Sequence, residues 1–99
     1  MEKAEDCQNI EEIRNCIDSI DKSIISQLFL RSSYVKCASK YKNIMQEVKA
    51  EDRIKSMIMQ RRKWAEENEL NPDFIQFLFE NIVEYFISKE SIEWQKKNQ

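Results

Sequence analysis

Residues 9–42 read NIEEIRNCIDSIDKSIISQLFLRSSYVKCASKYK, and this stretch decides the fold. Asn9 is a good helix N-cap, and Glu12 stands three residues on, as in a capping box. Ile10, Ile13, Ile17, Ile20, Ile24, Leu28, Val35 and Ala38 then recur at steps of three, four and seven, which keeps them on one face of a helix. Nothing interrupts the pattern until about Tyr41. A helix of roughly 32 residues would be about 48 Å long at 1.5 Å per residue.

Downstream, residues 43–49 lose the apolar period and read as a loop. A second helix is expected from about Ala50 to Glu67, with Ile54, Met57, Ile58, Arg61, Trp64 and Ala65 on one side. Asn68 to Asn71 reads as a short connection. Asn71-Pro72 then pairs a cap with a proline at the first helical position. Phe74, Ile75, Leu78, Phe79, Ile82, Val83, Phe86 and Ile87 carry a third helix to about Lys96. These two shorter helices, roughly 27 and 37 Å long, must cover a stripe of about 48 Å. A chain this small cannot easily bury such a stripe alone. The expectation is an all-α domain of three helices over residues 1–99, paired as an intertwined homodimer.

Composition agrees and narrows the chemistry. The 99 residues include no glycine and one proline, so the tight hairpins of an antiparallel sheet are not expected. Charged residues make up 34% and hydrophobic ones 41%, which suits amphipathic helices with solvated outer faces. Sixteen Lys and Arg against eighteen Asp and Glu give a net charge of −2, without the basic excess of a nucleic-acid binder. No apolar run approaches the roughly 20 residues that span a membrane, and Met1 to Asp6 is acidic and polar, unlike a signal peptide. Cys7, Cys16 and Cys37 are odd in number and lack metal-ligand spacing, so they read as reduced, small, buried or half-buried side chains of a cytoplasmic protein. The chain has no histidine, which excludes histidine triads and the common zinc sites. Any catalysis must rest on Lys, Arg, Glu and Asp.

Two cations break the first helix's apolar face. With Ile24 at the origin of a helical wheel, Leu28 falls near about 40°, Arg31 near about −20°, Val35 near about 20° and Lys42 near about 0°. Charges inside an apolar face need a partner. Either the two converge over a small anion, or they snorkel, or they pair with carboxylates of the third helix. Arg14 lies about 25 Å from Arg31 and about 42 Å from Lys42 along the same helix, so it joins them only from an antiparallel second chain. Arg53 opens the second helix beside the loop. Arg61, on that helix's apolar side, reads first as a member of an intramolecular ion pair. Glu90, at the edge of the third helix's apolar stripe, is either a salt-bridge partner or a titratable functional group. Glu11-Glu12, Arg61-Arg62-Lys63 and Lys96-Lys97 read as solvated charge runs.

With Ile13, Arg14, Ile17, Asp18, Ile20 and Asp21, then Arg31, Lys42 and Arg53, the chain resembles the all-helical chorismate mutases. The segments Glu5-Asp6-Cys7, Tyr34-Val35-Lys36, Ala38-Ser39 and Trp64-Ala65-Glu66-Glu67-Asn68, with Trp94, are more similar to the family's lyase branch. These are the isochorismate pyruvate-lyases of salicylate and siderophore biosynthesis. The resemblance covers nearly the whole chain. It implies an intertwined dimer with two equivalent sites for a small dicarboxylate, needing no metal or cofactor. Arg31, Lys42 and Arg53 of one chain match site residues, and Arg14 matches the arginine donated by the other. Position 90 matches a glutamine that donates to the substrate's ether oxygen; here it is Glu90, and only a protonated glutamate donates. Mutases often follow the second-helix arginine with a glutamate that holds the ring hydroxyl. Here Ile54 follows Arg53, as in the lyase branch. The other enzyme readings are a dedicated mutase of chorismate or of its 4-amino-4-deoxy analogue. A reading from another class is a non-catalytic helical interaction module.

Overall fold

The computed structural model describes the backbone of residues 3–41 and 44–97, and side chains within that range except at residues 39, 44–50 and 87–97. The order is a 3-10 turn Ala4–Asp6, helix α1 Ile10–Ala38, a 3-10 turn Ser39–Tyr41, helix α2 Ile44–Glu67 and helix α3 Pro72–Lys97. The described residues contain no strand, as the absence of hairpin signals leads one to expect. None of the described helices is long and apolar enough to cross a membrane. The chain divides into two compact units, Met1–Cys37 and Ala38–Gln99.

The first unit is essentially α1. Its start is the expected cap: Asn9 Oδ1 accepts from the Glu12 backbone N–H at 2.9 Å. Glu12 Oε2 reaches back to accept the N–H of Gln8 at 2.8 Å, one residue earlier than a strict capping box. Glu11 and Glu12 also place negative charge on the positive end of the helix dipole, and Lys36 sits in the last turn. Ser32 and Ser33 would compete with a helix if their hydroxyls lacked acceptors. Both donate to the carbonyl of Phe29, at 2.6 and 3.3 Å. The α-helix ends at Ala38 and tightens into the 3-10 turn, so the continuous helical stretch to Tyr41 is close to the expected one.

The second unit is an antiparallel hairpin of α2 and α3. Here one expectation fails: of the loop expected over 43–49, residues 44–49 are helical, because α2 begins at Ile44, while Asn43 lies outside the described residues. The segment IMQEVK has no apolar period, but Met, Gln, Glu and Lys are good helix formers and no glycine or proline stops them. Loss of an apolar period is not loss of a helix. At 24 and 26 residues, α2 and α3 are about 36 and 39 Å long, against about 44 Å for the 29 residues of α1. The mismatch in length is therefore smaller than the sequence suggests, and length alone no longer demands a second chain.

The hairpin closes by a Schellman motif. Leu70 N–H bonds to the Ala65 carbonyl at 2.8 Å and Glu69 N–H to that of Glu66 at 3.2 Å. The motif needs a left-handed residue, usually glycine. This chain has none, and Glu69 takes the position at φ 58°. Asn68 Nδ2 donates to the Trp64 carbonyl at 2.8 Å. Asn71 Oδ1 then caps α3, accepting from Asp73 N–H at 2.8 Å and Phe74 N–H at 3.3 Å, with Pro72 at the first helical position as expected. Met57, Ile58 and Ala65 are buried, Ala65 most fully at 3% exposure.

Candidate functional site

Of the five residues the sequence singles out, three have described side chains. Arg14 stands in the second turn of α1 and is exposed. Arg31 lies 17 residues on, in the same unbroken helix, and is half-buried. That places the two about 25 Å apart along the axis, so one chain's α1 does not bring them together. Arg53 is exposed, and it does not open the second helix as expected, because the earlier start puts it at the tenth position of α2. Lys42 lies outside the described residues. Glu90 belongs to α3, but its side chain also lies outside them.

None of the side chains of Arg14, Arg31 and Arg53 has a hydrogen bond or ion pair with another described residue. That alone does not mark a site, since exposed Lys22 and Lys55 share the property. Arg31 differs by its place. It projects within the stripe of Ile24, Leu28 and Val35 and is half-buried, where Arg14 and Arg53 are exposed. A guanidinium held this way offers a planar fork of donors to an external carboxylate.

The cations of α2 behave differently. Arg61 lies 4.8 Å from the ring centre of Trp64 and 5.6 Å from that of Phe79, a stack between two aromatic faces. Its Nη1 also donates to Gln60 Oε1 at 2.9 Å. Arg62 Nη1 bridges to Asp73 Oδ1 at 2.9 Å and Gln76 Oε1 at 2.8 Å, tying α2 to the first turns of α3. Neither is a member of a merely solvated run, as the sequence reading has it. Each also has a partner 11 to 18 residues away, which no local pattern reveals. Arg61, Trp64, Ala65, Asn68, Leu70, Ile75 and Phe79 line a shallow groove of about 220 Å³ at the closed end of the hairpin. Eight residues of α2 separate Arg53 from Arg61, so the groove is about 12 Å along the helix from the candidate anion-binding residue.

The model of the type II chorismate mutases matches residues 13–91, a span that contains Arg14, Arg31, Lys42, Arg53 and Glu90. The chain belongs to the chorismate mutase type II family. It is also 36% identical over 96 residues to an isochorismate pyruvate lyase of Pseudomonas aeruginosa, across 97% of this chain and 95% of that relative. Family and relative together support an enzyme of the chorismate mutase or isochorismate pyruvate lyase kind, with a pericyclic, chorismate-related reaction. The three described helices are consistent with that family.

The cysteines stand outside this chemistry. They form no disulfide. Cys7 and Cys16 are half-buried, as expected, while Cys37 is exposed.

Proposed function

We propose that this chain, as a single domain, is an isochorismate pyruvate-lyase that also rearranges chorismate to prephenate, acting in the cytoplasm as an intertwined homodimer. The observation that carries the reading is the likeness to a named isochorismate pyruvate lyase along almost the whole of both chains. Ile54 after Arg53 supports the lyase over the mutase, because no carboxylate follows the arginine to hold a ring hydroxyl.

The chemistry suits the residues. In isochorismate the bond between the ring and the ether oxygen breaks while a ring hydrogen passes to the enolpyruvyl methylene carbon, giving pyruvate and the aromatic ring of salicylate; chorismate breaks the same kind of bond while a new carbon–carbon bond forms. Neither reaction needs a nucleophile, so a chain without histidine has what is required. The site's work is to hold a flexible dicarboxylate in a compact reactive conformer. It must also stabilise the negative charge that grows on the ether oxygen. Arg31 and Arg53 of one protomer, with Arg14 of its partner, bind the carboxylates as planar forks. Lys42 meets the ether oxygen as a compact positive charge, and Glu90, when protonated, is the second donor there.

Support for the dimer comes from α1. Not one of its residues is fully buried, and its isoleucines are exposed, with Ile24 at 53%. Unburied apolar surface on this scale is ordinarily an interface.

The family's own description favours a second reading, a dedicated chorismate mutase. One assay separates them. Purified protein is given isochorismate and chorismate in turn, and salicylate with pyruvate, or prephenate, is measured. The proposal expects the lyase reaction to have the higher kcat/KM. Prephenate alone would establish the mutase. Turnover of neither, with no binding of a bicyclic dicarboxylate mimic of the transition state, would make the chain an interaction module.

A further inference from the structure

We draw no further inference here: the strongest candidate, the apolar groove at the closed end of the α2–α3 hairpin between Arg61, Trp64, Leu70 and Phe79, carries nothing because nothing in the structure shows what covers it.

Discussion

Helix α1 and the α2–α3 hairpin solve the problem of apolar surface in opposite ways. The hairpin finds partners within itself, 11 to 18 residues along the chain. Arg62 reaches Asp73 and Gln76, Arg61 stacks on Phe79, and Met57, Ile58 and Ala65 are buried. Helix α1 carries the more regular apolar stripe, yet none of its residues is fully buried, and Phe29 is 74% exposed. Its segment Ile24–Leu30 places Ile25, Phe29 and Leu30 well off the main stripe, at about 100°, about 140° and about −120°. A helix that is apolar nearly all round is normally buried on more than one side. The contrast teaches that regular periodicity announces a buried face but does not say which chain buries it.

The largest expected effect tests whether the two protomers share one site. Lys42→Ala should lower kcat by about 10²–10³-fold through loss of a charge at the ether oxygen, with helix content unchanged by circular dichroism. Arg14→Ala should also be nearly inactive. Mixed and allowed to exchange, the two inactive proteins should recover about a quarter of wild-type sites. Half of randomly paired dimers are mixed, and each of those keeps one intact site. No recovery, with mixed dimers demonstrated by mass spectrometry, would break the link between α1 and the site.

The second test sets α1 against solvent. If the stripe is buried by a second chain, Ile24→Glu should cost several kcal/mol, dissociate the protein in sedimentation and abolish activity. Were the stripe truly solvated, the same change would stay within about 0.5 kcal/mol. Met59, exposed at 68% on the hairpin, is the control: Met59→Glu should be nearly neutral.

A smaller effect concerns Glu90. If it is the second donor at the ether oxygen, only its protonated form serves, so activity should be present at low pH and should fall as pH rises. Glu90→Gln keeps a donor at every pH and should flatten that limb of the profile. A wild-type rate that is level across the range, and the same in the variant, would remove Glu90 from the mechanism.

The smallest prediction sharpens the account of the hairpin. Glu69→Gly relieves a left-handed glutamate and should stabilise the protein by about 1 kcal/mol in denaturant unfolding, leaving kcat unchanged. Destabilisation would mean that the Glu69 side chain does more than occupy the turn.

What the amino-acid sequence by itself determined is what short-range chemistry controls. Asn9 with Glu12, and Asn71 with Pro72, mark helix starts because a cap is satisfied within three residues. The family, too, is legible in the spacing of Arg14, Arg31, Lys42 and Arg53 along the chain, which the family match spans in full. The start of α2 at Ile44 was hidden because a helix can continue where its apolar period does not. Only the tertiary structure decided the fates of Arg61 and Arg62. Adjacent in sequence and identical in type, they point 100° apart on α2. One finds the Phe79 ring and the other the Asp73 carboxylate, because α3 folds back alongside.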